Sequence, residues 1–299
     1  MDLALLRRWR RESVAVLRVV IAGTRGSTPR EVGAFMLVTP GAQTGTIGGG
    51  ALEWSCLDRA RRILHGEAIA REQCYTLGPE ADQCCGGSVT VHFEPVFDLD
   101  REVARLEASH ESRPVLLVFG AGHVGRALVQ SSSLLPLSVR WIDSRPTEFG
   151  RVPHGVAACV TDDWEGEIRA LRPGDGVVIM TPSHTLDALI TAAALERGDL
   201  AYVGLIGSNS KRRRFEAGFR ALGIAQERID TLVCPIGAHP IRDKRPQIIA
   251  ALVTAEMAIA LVPRSAEYGS ENHHTDRVAR TGHAKVQDEN RQHPSATHR

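Results

Sequence analysis

The chain has 299 residues, 43% hydrophobic and 24% charged, an ordinary globular composition with room for about two domains. Its 36 basic against 35 acidic side chains leave a formal net charge of +1, which argues against nucleic acid or an anionic membrane surface as partner. Six cysteines, two of them adjacent, do not make a secreted disulfide framework, so the expected compartment is the cytoplasm and the thiols serve packing or chemistry.

At the amino end, "MDLALLRRWRRESVAVLRVV" carries Arg7, Arg8, Arg10, Arg11 and Arg18, which interrupt any signal-peptide core or membrane span. An apolar stretch "VAVLRVVIAG" follows, then the loop "TRGSTPREVG", the strand-like "AFMLVTP" and a glycine cluster. "ALEWSCLDRARRILHG" places Leu52, Cys56, Leu57, Ala60, Ile63 and Leu64 at helical spacing, with Gly66 as its stop. "GSVTVHFEPV" reads as a strand, and residues 98–113 as a polar helix or linker ending at Pro114. Beyond it the rhythm changes to short apolar runs ("PVLLVF", "LSVRWID", "VAACV", "DGVVIMT", "AYVGLIG") alternating with helical patterns. That alternation predicts a parallel sheet covered on both faces. The expected fold is therefore α/β: a smaller N-terminal α+β domain over residues 1–110 and a Rossmann-like, doubly wound domain over 111–263. The remainder, 264–299, is poor in large apolar residues and is expected to be a disordered tail, its five histidines included.

Two glycine loops and a cysteine pair stand out. In "VLLVFGAGHVGRALV", Gly120 permits a tight turn, Gly122 leaves room for a pyrophosphate and Gly125 lets helix and strand approach. Asp143 ends the next strand, where an acid accepts from a ribose 2′-hydroxyl; it disfavours a 2′-phosphate, a preference Arg145 softens. A structural turn that binds nothing is the competing reading. Further on, "TPSHTLDA" supplies His184 and Asp187, an acid/base pair only if the two converge; turn formation is the alternative. In "GTIGGGALEW", Gly48, Gly49 and Gly50 bring backbone N–H groups towards an anion, and Glu53 suits the helix dipole or accepts a ligand amine. Arg25, Ser27 and Arg30 surround Pro29 upstream, offering planar guanidinium forks. Cys84 and Cys85 in "QCCGG" have no C-x-x-C partner, which speaks against structural zinc. They either pack as small hydrophobes or meet a soft metal or sulfur, with Gly86 and Gly87 pointing to a close approach.

Taken together, "RGSTPREVGAFMLV", "GTIGGGALEW", "QCCGG", "VFGAGHVGRAL", "DSRPTEF", "YVGLIGSNSKRRRF" and "PIGAHP" resemble the XdhC/CoxF family of xanthine dehydrogenase accessory proteins. The resemblance implies a chaperone that binds the molybdenum cofactor (molybdopterin), assists its sulfuration with a cysteine desulfurase and delivers it to an apo xanthine dehydrogenase or related molybdenum hydroxylase. It marks Ser27, Pro29, Arg30, Gly48, Gly49, Gly50, Glu53, Gln83, Cys84 and Cys85 as a cofactor-handling surface, with the two cysteines as metal or sulfur contacts. It also marks Gly120, Gly122 and Gly125 as a nucleotide loop for NAD(P), and draws in Gly204, Gly207, Ser208 and Lys211. Two departures are visible: Pro182 stands where the family commonly has a histidine, and "PIG" continues "AHPIRDKRPQIIA". The alternative function is an NAD-dependent oxidoreductase using His184 and Asp187 for proton transfer. Oligomeric state is left open, a homodimer included.

Overall fold

A computed structural model describes residues 1–78, 86–238 and 243–262. Gln83, Cys84, Cys85 and the C-terminal tail lie outside the described residues, as does part of "PIGAHP". Helix α1 (Leu3–Arg11) opens the chain, capped by the Asp2 carboxylate on the Leu5 N–H. Strands β1 (Val16–Arg25), β2 (Phe35–Val38) and β3 (Gln43–Gly45) precede helix α2 (Gly50–Leu64), and β4 (Glu72–Thr76), β5 (Ser88–Val96) and helix α3 (Leu99–Glu111) follow. The five strands form one antiparallel sheet in the order β3-β2-β1-β5-β4.

Both faces of this sheet are covered, and the period-two alternation of strand side chains explains how. Leu17, Val19 and Ile21 of β1, with Met36, Val38, Val91 and Phe93, pack on Leu52, Cys56, Leu57 and Ala60 of α2. Their neighbours Val16 and Leu37 point the other way, onto Leu6 and Trp9 of α1 and Val103 of α3. Arg7, Arg8, Arg10 and Arg11 are the solvent face of an amphipathic helix whose inner face is Leu6 and Trp9, whereas Arg18 lies in β1 and pairs with Glu102 of α3. Residues 98–113 are a packed helix rather than a linker, because Val103 and Leu106 complete this layer.

The second sheet is parallel, as the alternating apolar runs predict. Strands β6 (Val115–Phe119), β7 (Ser138–Asp143), β8 (Val156–Val160), β9 (Gly176–Ile179), β10 (Tyr202–Leu205) and β11 (Leu232–Val233) lie in the order β11-β10-β9-β6-β7-β8. Helices α4 (His123–Ser132) and α9 (Pro246–Leu261) cover one face through Leu128, Val129, Val253 and Met257. Helices α5 (Trp164–Arg169), α6 (His184–Arg197), α7 (Asn209–Ala221) and α8 (Gln226–Asp230) cover the other through Ile168, Ile190, Phe215 and Ile229. The chain runs outward from β6 to β8, then returns to the far side of β6 as β9. The strand order therefore reverses between β6 and β9, and ligands of open α/β sheets bind outside the carboxyl ends at such a reversal. Short elements such as β11, α5 and α8 have too few residues to show a period in the sequence. Among the described residues, no helix is long and apolar enough to cross a membrane.

Candidate functional site

Three loops meet at one end of the N-terminal sheet. Arg25 at the end of β1 pairs with Ser88 at the start of β5, so the loop after β1 and the glycines before β5 leave the sheet side by side. A Cβ on Gly87 would lie 2.5 Å from the Arg25 carbonyl oxygen and closer still to that of Ser27. The third loop is locked to the first in the same way: Gly48 has φ +122°, and a Cβ there would stand 2.7 Å from Pro29 Cβ. Gly49 and Gly86, by contrast, have open sides, with none of the described residues within 4 Å of where a Cβ would stand. Each of the two glycine pairs thus has one member pressed against "GSTPR" and one facing free space.

The hydrogen bonds of the "GTIGG" loop change the reading of Glu53. Its Oε2 accepts from Thr46 Oγ1 at 2.5 Å, from the Ile47 N–H at 3.0 Å and from the Gly49 N–H at 3.1 Å. The Gly48 N–H donates to Thr46 Oγ1. Glu53 already occupies the place of an anion among these amides, so it braces the loop instead of awaiting a ligand amine. The donors left for a ligand are the first-turn amides of α2, whose N-cap Gly49 supplies no side-chain cap. Arg30 is also engaged, in a two-point pair with Glu31 at 2.9 and 3.1 Å, and its guanidinium holds the Glu31 carboxyl down at about 2. Arg25 and Ser27 are exposed where these loops meet. Of the other thiols, Cys56 is buried, and desolvation pushes it up to about 11, so it packs and does not react. Among the described residues no cluster of His, Cys, Asp and Glu suits a metal ion.

At the parallel sheet, the three glycines of the β6–α4 turn divide their roles sterically. Gly120 has φ +111°, and a Cβ would press on the Met180 carbonyl of β9's end, its carbon 2.8 Å away. Gly125 packs against the Gly120 carbonyl oxygen. Gly122, the N-cap of α4, has none of the described residues within 4 Å of a Cβ position, so its side is open. Beside the turn lies a cavity of about 400 Å³ lined by Phe119, Gly120, Asp143, Arg145, Asp162 and Trp164, among others. Asp143 accepts from the Ala121 N–H at 2.7 Å, the Arg145 N–H at 3.0 Å, and Arg145 Nε and Nη2 at 2.9 Å each. Burial alone pushes this carboxyl up, but the Arg145 and backbone hydrogen bonds outweigh it and hold it below the ordinary range.

His184 and Asp187 do not pair. Both sit in the first turn of α6, but Asp187 is fully buried and His184 exposed. Asp187 accepts from the Thr181 N–H and Oγ1 at 3.0 and 2.8 Å and from Lys211 Nζ at 2.6 Å. Lys211 donates also to the Ile206 carbonyl, while His184 Nδ1 lies 3.2 Å from Arg214 Nη2. The Lys211–Asp187 pair ties the end of β9 to the end of β10. Gly207 makes room for it, since a Cβ would meet Lys211 Cδ at 2.8 Å, and the Ser208 hydroxyl caps α7 on the Lys211 N–H. Gly204 is pressed by the Tyr202 ring and by Ile236.

Comparison with known proteins decides the family. Residues 116–257 match the XdhC Rossmann domain, and residues 9–73 match the XdhC and CoxI family. The chain belongs to the XdhC family. It is 31% identical over 252 residues to the uncharacterized protein YqeB of Escherichia coli (strain K12), covering 79% of this chain and 42% of that protein. It thus spans about two fifths of that relative's length. The crystal structure of a xanthine dehydrogenase from Bacillus halodurans superposes with a TM-score of 0.72 at 22% identity, covering 90% of this chain and 98% of that one. At that identity the likeness concerns the fold.

Within this XdhC fold, two features escaped the reading of motifs. Trp54 is 72% exposed, one residue after the bracing Glu53 on α2. Its outward position follows from the helical spacing of Leu52, Cys56 and Leu57, which turns residue 54 away from the core. The pairing of Lys211 with Asp187 had no local signal, because 24 residues separate them.

Proposed function

We propose that this XdhC-family chain is an accessory protein for a xanthine dehydrogenase or related molybdenum hydroxylase, holding molybdenum cofactor at the three-loop cleft during its sulfuration and delivery. The observation that carries the reading is the convergence of "GSTPR", "TIGGG" and Gly86–Gly87 at one end of a rigid sheet, with Gly49 and Gly86 open. The chemistry of the cleft fits the group. Molybdopterin brings a phosphate, for which the uncapped first turn of α2 and exposed Arg25 are complementary, and a flat pterin that exposed Trp54 can stack on. Cys84 and Cys85, which adjoin Gly86 in sequence, supply the soft sulfur ligands or sulfur carriers. The partners of this reading are the apo molybdoenzyme and a cysteine desulfurase in the cytoplasm. The Rossmann cavity takes an adenine nucleotide, supported by open Gly122 and by Asp143 at the end of β7.

The test is to coexpress the chain with molybdopterin synthesis intact, purify it without oxygen and assay bound pterin by fluorescence. Wild type should carry pterin, and Gly86→Val, which fills open space without touching the fold, should lose it. Wild type free of pterin would overturn the proposal. Pterin retained equally by a Cys84→Ser/Cys85→Ser double variant would remove the cysteines from the site while leaving the cleft. Turnover of a nicotinamide by the purified chain would make it an oxidoreductase instead.

A further inference from the structure

The carboxylate at the end of β7 is full. An ionised carboxylate offers about four lone-pair sites, and Asp143 receives four hydrogen bonds: Ala121 N–H and Arg145 Nη2 on Oδ2, Arg145 N–H and Nε on Oδ1. No acceptor position is left for a ribose hydroxyl. Two of the four donors are backbone N–H groups fixed by the β6–α4 turn and by the chain after β7. The other two belong to one guanidinium, whose side chain is 43% exposed at the cavity lining and free to swing into solvent. Withdrawal of that guanidinium frees one site on each carboxylate oxygen, one for each hydroxyl of a vicinal diol.

We infer that Arg145 is a displaceable plug in the ribose subsite of the Rossmann cavity, and that nucleotides with free 2′- and 3′-hydroxyls bind by displacing it from Asp143. The inference rests on the reading that this cavity takes an adenine nucleotide. With the plug displaced, the lining presents two carboxylates, Asp143 and Asp162. A 2′-phosphate is repelled by both. Arg145 therefore acts as a specificity-determining residue that weakens binding of its own ligand and sets a threshold concentration for it.

Calorimetric titration of the full chain with ADP, 2′,3′-dideoxyADP and adenosine 2′,5′-bisphosphate tests this, in wild type and Arg145→Ala. Because the pair lies at a partly exposed rim, Arg145→Ala should bind ADP about fivefold tighter. DideoxyADP, which has no diol to place, should bind both proteins equally. ADP bound no more tightly by Arg145→Ala than by wild type overturns the plug while leaving the nucleotide reading intact. A wild type that prefers the bisphosphate, with the preference lost in Arg145→Ala, also overturns it, making Arg145 a phosphate clasp. Absence of binding of any of the three ligands to either protein removes the nucleotide reading and the plug together.

Discussion

Both halves of the molecule set a buried or half-buried carboxylate beneath a loop, but they differ in what shares it. In the N-terminal half, Glu53 is held by loop amides, the Thr46 hydroxyl and, more loosely, the Gln43 amide, all neutral donors. In the Rossmann half, Asp143 and Asp187 each accept from a loop amide and also from a cation, Arg145 or Lys211. Among the described residues no cation is a hydrogen-bond partner of the charge that braces the first loop, which leaves the surface beside it suited to a ligand that brings cation or metal. The second region is charge-neutralised in place, so a ligand must displace a cation or leave it undisturbed.

The sharpest way to break this contrast is at Asp187. Its carboxylate is fully buried and Lys211 is 11% exposed, so Asp187→Ala strands an ammonium and two Thr181 donors. A loss of about 3–5 kcal/mol is expected in urea unfolding, the usual cost of orphaning one member of a buried pair. A loss below about 1 kcal/mol would mean that Lys211 escapes to solvent and that the Rossmann half is not locked as described.

Next in size are the glycines, where each half offers a pressed member and an open one. Gly87→Ala and Gly120→Ala force a Cβ into backbone carbonyls, and Gly120 adds a φ of +111°, so each should lose about 3 kcal/mol. Gly86→Ala and Gly122→Ala should stay within about 0.5 kcal/mol of wild type. Thermal unfolding of the four variants checks both halves at once. Gly122→Val, equally clear of the fold, should cut adenine nucleotide binding more than tenfold by filling the pyrophosphate space.

This division between pressed and open glycines shows what could be read in advance. The parallel sheet was legible because short apolar runs between helices have no other stable arrangement, and the order of Gly120, Gly122, Gly125 and Asp143 follows from strand, turn and helix alone. The partners of the carboxylates were not legible. Glu53 looked available to a ligand because only the folded loop reveals that Ile47 and Gly49 turn their amides back onto it. Asp187 looked like a partner of His184 because they share a turn, yet burial faces one inward and the other outward. Spacing predicts faces; it does not predict which distant cation, such as Lys211, fills an inward one.

A smaller effect tests the neutral brace. Glu53→Ala leaves the Ile47 and Gly49 amides and the Thr46 hydroxyl without their shared acceptor; Ile47 is buried, but Thr46 is exposed and Gly49 half-buried, so water can replace part of the loss. The expected cost is about 1–2 kcal/mol, with added salt changing it little because no cation is among the donors. A cost that collapses in high salt would show that a cation shares Glu53 after all, and the contrast between the halves would fail.

The smallest effect belongs to Arg30 and Glu31, the one ion pair within the three-loop region among the described residues. Hydrogen bonding from Arg30 lowers the Glu31 carboxyl from 4.5 to about 2. A carboxyl depressed in the folded state contributes stability that is present above its unfolded value and is lost as pH falls through the folded one, here between about pH 4.5 and 2. The two side chains are 38% and 37% exposed and adjacent in sequence, so solvent screens the pair and the unfolded chain retains part of it. The contribution at neutral pH should then be under about 1 kcal/mol. Wild type and Glu31→Gln should differ by that amount at pH 6, converge as pH approaches 2.5, and converge also in high salt at neutral pH. A difference that persists at pH 2.5 would assign the loss to packing of residue 31, and the Arg30–Glu31 pair would then be structural in a way its charge does not explain.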